Sequence, residues 1–337
     1  MSDMNRVWRL RKRPTGDITD DVLSFEEETI PEPGEGEFLF RLNYLSLDPT
    51  NRIWMSDADQ YMPPVELDAP MRGVVCGTVT NTRHPDYAEG TIVSGLGVWA
   101  DYQIGTAERL SPIGDTGPVS VVDAFSTFAV VGPTAYFGLL DIGEPKEGET
   151  VVVSAAAGAV GSIVGQIAKI KGCRVVGLAG TDEKCAWTQD DLGFDVAINY
   201  RTENIPKALA AACPEGIDVY FDNVGGEILD ACLELMNLNG RIPTCGLISQ
   251  YNATEPVPGP YNYAMIVMQR LRVEGFIVLD FAERYPEAIA ALGQWMAEGK
   301  IKVRTEIVDG LENALQTLKK LYTGGNKGKL MICVKEM

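Results

Sequence analysis

The sequence has almost no histidine. His84, in the turn-like stretch TRHPDY, is the only one among 337 residues. The seven cysteines are scattered along the chain and include no C-x-x-C pair. Zinc sites need clustered cysteine and histidine ligands, so the sequence predicts no metal site. An odd number of dispersed cysteines is typical of reduced thiols in a reducing compartment.

Long hydrophobic runs and an excess of positive charge are also missing. No apolar stretch is long enough to span a membrane, and the basic start MSDMNRVWRLRKRP lacks the apolar core of a secretory signal. Lys and Arg number 29 against 47 Asp and Glu, which gives a net charge of −18. Nucleic acids and anionic membranes attract proteins with a cationic face. We therefore expect a cytoplasmic protein that binds neither of them.

Residues 1 to about 125 are predicted to form a β domain. Short β-like runs such as FLFRLNYLSLD, MRGVVCGTVT and GTIVSGLGVWADYQI follow one another, with Gly and Pro turn signals between them. Many short strands at this spacing indicate a compact, barrel-like domain. A linker is expected from Asp115 to Pro118 and just beyond, and the chain is long enough for a second domain.

From about residue 130 the pattern changes to alternating strands and helices. Five runs are typical of buried strands, namely TVVVSA, RVVGLAG, VAINY, DVYFD and GRIPTCGLIS. The first is followed by a helix with Val160, Ile163, Val164 and Ile167 on one face, and further helices are expected near 182–192, 204–212 and 226–237. This rhythm predicts an α/β fold with a doubly wound parallel sheet.

The last part of the chain is less clear from its pattern. A helix at about 263–272 leads into EGFIVLD, which is expected to be a sixth strand. The segment KIKVRTEIV, a helix at 310–322 and the segment GKLMICVKE follow. These elements extend the parallel sheet or return to the β domain, and the pattern does not decide between the two.

The stretch SAAAGAVGS follows the first of these strands and opens a helix. It resembles the dinucleotide fingerprint G-x-G-x-x-G, with Ala156 in place of the first glycine and Gly158 and Gly161 at the other two. The free N–H groups of Ala159, Val160 and Gly161 at the helix N-terminus would favour a pyrophosphate. The alternative is a small-residue contact between helix and sheet without any ligand.

The end of the second strand bears on which dinucleotide is bound. An acidic residue there selects NAD through the ribose hydroxyls, whereas a cation accommodates the 2′-phosphate of NADP. Gly180 and Thr181 occupy this place, and Lys184 lies three residues further on. Asp182 argues for NAD, but an N-cap at Thr181 would put it in an ordinary acidic first turn. Arg201 is a second available cation, so the balance favours NADP(H).

Polar residues also end the fourth and fifth strands, where ligands bind in such sheets. Asn223, in YFDNVGGE, is either a cofactor contact or a turn-forming residue before two glycines. Cys245, Ser249 and Tyr251, in TCGLISQYN, follow the fifth strand. We interpret Cys245 as a packing residue or cofactor contact rather than a nucleophile, because no histidine is available to activate it.

A family resemblance is carried by several of these stretches together. They are VGPTAYFGLLDIGEPKEGETVVVSAAAGAVGSIVGQIAKIKGCRVVGLAGTDEK, LGFDVAINYRT, YFDNVGG, LSLDP and the late NKGK. The chain resembles, over nearly its whole length, the zinc-free medium-chain dehydrogenase/reductases. The most similar group contains the prostaglandin reductases, leukotriene B4 12-hydroxydehydrogenases and double-bond reductases of the curcumin type.

The resemblance implies a GroES-like N-terminal domain at 1–128, a Rossmann domain at 129–300 and a C-terminal segment, 301–337, that returns to the first domain. It implies reduction of the C=C bond of an α,β-unsaturated ketone or aldehyde by NADPH, in an enzyme that is commonly a homodimer. The cofactor positions of the group match Gly158, Ala159, Val160, Gly161, Lys184, Tyr200, Asn223, the Cys245–Tyr251 loop with Ser249, Phe276 to Val278, and Asn326.

Two departures from the group fall on the substrate side. Its usual DPYMR is DPTNR here, with Thr50 and Asn51, and Met268 stands where a tyrosine is often proposed to assist protonation. Polar groups that remain available to the enolate and to its protonation include the catalytic candidates Tyr44, Asn51 and Tyr261. Alternative readings are a quinone or carbonyl reductase on the same scaffold and an NADPH-binding protein without activity. The sequence does not name the substrate.

Overall fold

The computed structural model describes residues 4–337 and divides the chain into two compact units. One unit contains the chain up to Ala129 together with Thr305–Met337, and the other contains Val130–Arg304. Within residues 4–337 no single helix is long and apolar enough to cross a membrane, although the adjacent segments Val121–Phe128 and Val131–Gly143 would reach that length together.

The strands, in chain order, are β1 (Met4–Leu10), β2 (Leu23–Thr29), β3 (Phe38–Leu47), β4 (Arg72–Thr82), β5 (Ile92–Val98), β6 (Tyr102–Gly105), β7 (Leu110–Pro112), β8 (Thr150–Val153), β9 (Arg174–Ala179), β10 (Val196–Asn199), β11 (Ile217–Phe221), β12 (Met236–Thr244), β13 (Arg272–Gly275), β14 (Thr305–Asp309) and β15 (Lys329–Cys333). The α-helices are α1 (Thr50–Trp54), α2 (Val121–Phe128), α3 (Val131–Phe137), α4 (Ala159–Ile170), α5 (Asp182–Asp190), α6 (Ile205–Ala212), α7 (Gly226–Leu235), α8 (Ala264–Met268), α9 (Tyr285–Ala297) and α10 (Ala314–Thr323). A π-helical segment (Gly138–Gly143) and two 3₁₀ segments (Val278–Arg284 and Leu311–Asn313) complete the set.

The first unit is a β domain. Strands β1 and β2 form an antiparallel pair, and a seven-stranded sheet has the order β14-β15-β3-β4-β5-β7, with β6 also paired to β3. The two late strands therefore join the β domain, which answers the question that the pattern left open. Their placement has a packing reason, because Leu330, Met331 and Ile332 are buried where β15 runs antiparallel to β3.

The second unit is a Rossmann domain, as predicted. Its six-stranded sheet has the order β10-β9-β8-β11-β12-β13, and all neighbouring strands are parallel. Counted from β8, this is the order 3-2-1-4-5-6, whose direction reverses between β8 and β11. Every residue of β8 is buried, as expected for a strand covered by helices on both faces.

The prediction of a sixth strand at EGFIVLD is wrong in its position. The strand is Arg272–Gly275, and a 3₁₀ segment starts at Val278. Pairing stops at Gly275 because its partner Thr244 is the last residue of β12. The preceding helix is also shorter than expected. It ends at Met268, and Arg270, with a φ of 51°, adopts the left-handed region that does not continue a helix.

The turn after β8 differs from the expected one. Its left-handed residue is Ala155, with a φ of 49°, and Ala156 is not among the residues with positive φ. Ala156 instead continues the sheet edge, since its N–H donates to the Leu178 carbonyl at 2.9 Å. Its methyl group is buried and faces Gly177 on β9. A glycine is therefore not needed at position 156. The energetic cost of a left-handed conformation falls on Ala155 instead.

Substituting each of these two alanines by glycine should change stability in opposite directions. Ala155→Gly relieves the left-handed strain and should raise the free energy of unfolding by about 0.5 kcal/mol after the entropic cost of glycine. Ala156→Gly removes a buried methyl without relieving strain and should lower that free energy by about 1 kcal/mol. Urea unfolding followed by circular dichroism measures both; two shifts of the same sign would contradict this assignment.

Candidate active site

The N-terminus of α4 forms a backbone cradle beside the Ala155 turn. Gly158 is its N-cap, and the Ser162 N–H makes the first intrahelical hydrogen bond, to the Gly158 carbonyl. The N–H groups of Ala159, Val160 and Gly161 precede this bond and are directed out of the helix end. A Cβ at Gly161 would collide with the Ala155 carbonyl oxygen, so only glycine lets the helix come this close to the turn. This cradle fits a pyrophosphate.

The face of α4 that packs on the sheet is slightly narrower than expected. Ile163, Val164 and Ile167 are buried, as the spacing indicates, whereas Val160 is only half-buried. Its position in the first turn leaves it at the edge of the cradle rather than under the helix.

The first turn of α5 explains the acidic residues that follow β9. The Thr181 side chain caps the helix by accepting a hydrogen bond from the Lys184 N–H at 3.3 Å. The Asp182 carboxylate accepts a hydrogen bond from Asn199 Nδ2 at 2.6 Å. Asp182 is thus engaged by β10, which agrees with its interpretation as a first-turn residue rather than a ribose ligand.

A second close approach lies at Gly180, between the ends of β9 and β10. A Cβ there would lie 2.7 Å from the Tyr200 hydroxyl and 3.4 Å from Arg201 Nε. The Arg201 guanidinium also lies over the Tyr200 ring, 6.0 Å from its centroid. The fold therefore brings a phenol hydroxyl and a guanidinium to the end of β9, where the 2′-phosphate of NADP would bind. Lys184 is in the adjoining turn.

The loops after β11 and β12 are joined by hydrogen bonds and carry four of the predicted cofactor residues. The Ile248 N–H donates to the Asn223 carbonyl at 3.3 Å, and Ser249 Oγ donates to the Val224 carbonyl at 2.6 Å. The Tyr251 hydroxyl accepts a hydrogen bond from the Leu247 N–H at 3.1 Å. Asn223, Cys245, Ser249 and Tyr251 consequently lie on one connected pair of loops at the carboxyl edge of the sheet.

The thiol of Cys245 is unsuited to act as a nucleophile. Burial, with a further contribution from the Asp222 charge, raises its pKa to about 12. At neutral pH the group is therefore a neutral thiol. This agrees with its interpretation as a packing residue or cofactor contact.

Sequence analysis did not single out Ser154 and Asp222, which connect the ends of β8 and β11. Ser154 Oγ accepts a hydrogen bond from the Asn223 N–H at 2.9 Å, and the Ser154 carbonyl accepts one from Asn223 Nδ2 at 2.8 Å. Asp222 is fully buried beside them. Both are polar residues that end buried strands, so the rule that drew attention to Asn223 applied to them too.

The remaining site candidates of the Rossmann unit are Phe276, Val278 and Tyr261, with Met268, and they differ in how firmly the fold holds their side chains. Phe276 packs edge-on against Phe221, with ring centroids 6.3 Å apart, and Val278 begins a 3₁₀ segment. Tyr261 is 85% exposed, and Met268 is also exposed. Within residues 4–337 the Tyr261 side chain lines an open groove but is not fixed by a hydrogen bond.

The candidates in the first unit have structural partners. Tyr44 is buried on β3 and shares a hydrogen bond with the thiol of Cys333, and burial raises its pKa. Asn51 is buried in α1, where Oδ1 accepts the Asp48 N–H at 2.9 Å and Nδ2 donates to the Arg72 carbonyl at 3.2 Å.

Asn326 also belongs to the first unit. It lies in the loop between α10 and β15, and its Nδ2 donates to the Gly328 carbonyl at 2.9 Å. Its side-chain amide therefore stabilises the local turn of the segment that contains NKGK.

Tyr61 is a further polar residue that sequence analysis did not single out. Its hydroxyl accepts a hydrogen bond from Trp54 Nε1 at 2.9 Å and shares another with Thr50 Oγ1. The indole N–H is only a donor, so Tyr61 accepts from Trp54, while either hydroxyl of the Tyr61–Thr50 pair can donate to the other. Thr50 thus lies at the end of a chain of hydrogen bonds that starts at Trp54.

Residues 4–337 contain no group of three or more His, Cys, Asp or Glu side chains that could hold a metal ion. The composition of the described part of the chain therefore does not fit a zinc site of the usual ligand set.

Comparisons with known proteins cover the chain from end to end. Residues 6–113 match the family model described as the N-terminal domain of oxidoreductase, and residues 159–294 match the one described as zinc-binding dehydrogenase. NADPH-dependent curcumin reductase of Escherichia coli is 47% identical over 98% of this chain and 97% of its own length. Prostaglandin reductase 1 of Bos taurus is 41% identical over 97% and 98%.

A solved structure of a related protein has the same fold as this chain. The crystal structure of CurA in complex with NADPH from Vibrio vulnificus superposes with a TM-score of 0.94 at 43% identity, over 98% of this chain and 100% of that one. The protein therefore belongs to the medium-chain dehydrogenase/reductase family, in the reductase group that contains NADPH-dependent curcumin reductase and prostaglandin reductase 1.

Proposed function

We propose that this protein uses NADPH to reduce the C=C bond of α,β-unsaturated ketones or aldehydes, without a metal ion. The observation that carries the proposal is the 47% identity with NADPH-dependent curcumin reductase over 98% of the chain. Curcumin has carbon–carbon double bonds conjugated to carbonyl groups, which makes the conjugated carbonyl the substrate class to test. The metal-free reaction is supported by the missing ligand clusters within residues 4–337.

The Rossmann unit offers a site for each part of the cofactor. Gly158, Ala159, Val160 and Gly161 would hold the pyrophosphate in the α4 cradle. Lys184 and Tyr200, with Arg201 beside them, would hold the 2′-phosphate. Asn223, Cys245, Ser249, Tyr251, Phe276 and Val278 would contact the remainder.

When bound, NADPH supplies a hydride to the β-carbon of the substrate. The protein has to hold the two reactants in register and to place hydrogen-bond donors where negative charge develops on the carbonyl oxygen. Thr50 is our candidate for this donor, because a Tyr61 hydroxyl that donates to Thr50 Oγ1 leaves the Thr50 proton for the carbonyl oxygen. Burial raises the pKa of Tyr61, so the chain of hydroxyl groups stays protonated at neutral pH.

The other catalytic candidates receive different roles under this proposal. Asn51 is a positioning residue, since its buried amide joins the main chain before α1, at Asp48, to the start of β4, at Arg72. Tyr44 shares its hydrogen bond with Cys333 and supports β3 from inside the domain. Tyr261 is exposed and remains a candidate proton donor that would have to be fixed by the ligand.

The proposed reaction is tested by mixing the protein with NADPH and one acceptor of each class: an alkenal, benzylideneacetone and a quinone. We expect oxidation of NADPH, followed by its absorbance, with the two conjugated carbonyls, and a product in which the C=C bond is saturated and the carbonyl retained. Turnover of the quinone alone would support a quinone reductase. Tight NADPH binding without turnover of any acceptor would support a binding protein.

The variant Lys184→Ala tests how the protein recognises the cofactor. Loss of a cation that pairs with the 2′-phosphate should weaken NADPH binding about tenfold or more while leaving NADH binding almost unchanged. Lys207→Ala, in α6, is the matched control for a lysine outside the proposed site. Equal losses for NADPH and NADH in the Lys184 variant would refute its role.

Tyr61→Phe is expected to lower kcat/KM for benzylideneacetone roughly 10- to 100-fold, since the orienting hydroxyl behind the carbonyl donor is lost. Steady-state kinetics measures this effect, and NADP⁺ binding by calorimetry should be unchanged. Tyr44→Phe and Tyr261→Phe test the two other tyrosines in parallel, and Tyr102→Phe is the control. An unchanged kcat/KM in the Tyr61 variant would remove this residue from the mechanism.

We further propose that the protein is a homodimer that associates through the outer edge of the Rossmann sheet. Strand β13 is the last strand of that sheet, and all four of its residues are exposed. Val267 and Met268 of α8 and Val273 of β13 expose apolar side chains there. An exposed edge strand with apolar neighbours is a template for pairing with a second chain.

Light scattering is expected to give the mass of two chains for the wild type. The double variant Val267→Glu/Val273→Glu should shift the protein towards one chain, because each glutamate places a charge at the edge of β13. Ile307→Glu is the control, since Ile307 is an exposed apolar residue on the edge strand β14 of the other sheet. A double variant with an unchanged mass would argue against this interface.

A further inference from the structure

A fully buried carboxyl group with one unsatisfied oxygen lies at the end of β11. Asp222 Oδ1 accepts hydrogen bonds from the Tyr220 hydroxyl at 2.7 Å and from the N–H groups of Val224 at 2.9 Å and Gly225 at 2.8 Å. Its Oδ2 is equally buried, but no partner for it occurs among residues 4–337. Burying a carboxyl oxygen without a donor is costly, so the position calls for a functional reason.

Asp222 lies beside the reversal point of the strand order. Ser154 follows β8 and Asp222 follows β11, and these are the two strands between which the order of the sheet changes direction. Ser154 Oγ lies 3.4 Å from Asp222 Oδ1. Ligands of doubly wound sheets bind in the crevice at this point, so the pair lies below the expected ligand crevice.

The network around Asp222 sets the orientation of the Asn223 side chain. The Ser154 carbonyl is only an acceptor, so the amide atom that faces it at 2.8 Å must be Nδ2. Asn223 Oδ1 then faces the other way, and it accepts no hydrogen bond from residues 4–337. A fixed, free amide oxygen can accept a hydrogen bond from an amide N–H or a ribose hydroxyl of a ligand.

The main chain of Asp222 also holds the loop that follows β12. Its N–H donates to the Pro243 carbonyl at 3.0 Å, and its carbonyl accepts the N–H groups of Cys245 at 2.8 Å and Gly246 at 3.2 Å. One residue thus connects the carboxyl ends of β8, β11 and β12. Gly225, with a φ of 70° and a ψ of −155°, keeps the turn after Asp222 in a conformation that is accessible almost only to glycine.

We propose that the Asp222 side chain is a positioning group for the nicotinamide half of bound NADPH and acts through Ser154 and through the turn at Val224 and Gly225, which together hold Asn223. The inference rests on the proposed function. It assigns no step of the reaction to Asp222, whose carboxyl group is buried below the residues that would contact the ligand. The adenosine half should be insensitive to Asp222, because its candidate residues lie at the ends of β9 and β10.

The same strand provides a matched control at its opposite end. Asp218 Oδ2 accepts the Thr150 N–H at 2.8 Å, and Asp218 Oδ1 accepts Asn237 Nδ2 at 2.8 Å. The Asp218 side chain therefore bridges from β11 to β8 and β12 at the amino ends of these strands, and the Asp222 side chain bridges from β11 to Ser154, which follows β8, at their carboxyl ends. A purely structural effect of losing such a bridge should appear equally in Asp218→Ala.

The test compares two ligands by isothermal calorimetry: 2′,5′-ADP, which reports on the adenosine half alone, and NADP⁺. In Asp222→Ala we expect 2′,5′-ADP affinity within about twofold of the wild type and NADP⁺ affinity lower by about fivefold or more, the size of one lost hydrogen bond. The kcat for benzylideneacetone should fall by about tenfold or more, because misplacement of the reacting ring slows the chemistry.

Further variants keep the outcome interpretable. Asp222→Asn retains an acceptor oxygen for the donors that face Oδ1 and should recover most of the NADP⁺ affinity; it also serves if Asp222→Ala does not fold. Asp218→Ala should lower thermal stability without changing the ratio of the two affinities. Equal losses for both ligands in the Asp222 variants, or no loss, would overturn the positioning role. A wild type that binds neither ligand would instead overturn the proposed function.

Discussion

The pairing of β8 with β11 is the constraint on which the candidate cofactor site depends. All strands of the Rossmann sheet are parallel, so their carboxyl ends lie at one edge, and the reversal between these two strands opens a crevice there. The Ala155 turn, the α4 cradle and the Ser154–Asp222–Asn223 hydrogen bonds all start from the ends of these two strands. A shift in their register would displace all of them together.

Anion binding in this protein has to work against its overall charge. The net charge of −18 repels a phosphorylated ligand at long range, but such repulsion is screened over about 8 Å in physiological salt. Close to the site, the N-terminal dipole of α4 and the Arg201 guanidinium supply local positive potential. Asp182 follows Gly180 and Thr181 directly in the sequence, and its carboxylate accepts a hydrogen bond from Asn199.

In the first unit, the C-terminal segment supports the short helix α1. The buried Lys329 ammonium lies 2.5 Å from Asp48 Oδ1, just before the helix, and the Tyr322 hydroxyl donates to the Pro49 carbonyl at 3.0 Å. Such a buried ion pair is valuable for geometry more than for net stability. Helix α1 contains Thr50 and Trp54, which both form hydrogen bonds with Tyr61. Lys329 and Tyr322, far away in sequence, therefore support the helix on which this chain of hydrogen bonds depends.

The sequence by itself determined the Rossmann unit and its cofactor edge, because buried parallel strands are continuous apolar runs and polar residues such as Asn223 mark their ends. It also indicated the 2′-phosphate preference, since Gly180 and Thr181 stand where an acid would be. Only the tertiary structure decided where the late strands pair, where β13 ends, and that Ala155 rather than Ala156 is left-handed. It likewise revealed Tyr61 and the unsatisfied oxygen of Asp222, because hydrogen-bond partners depend on which segments meet in space and leave no periodic pattern in the chain.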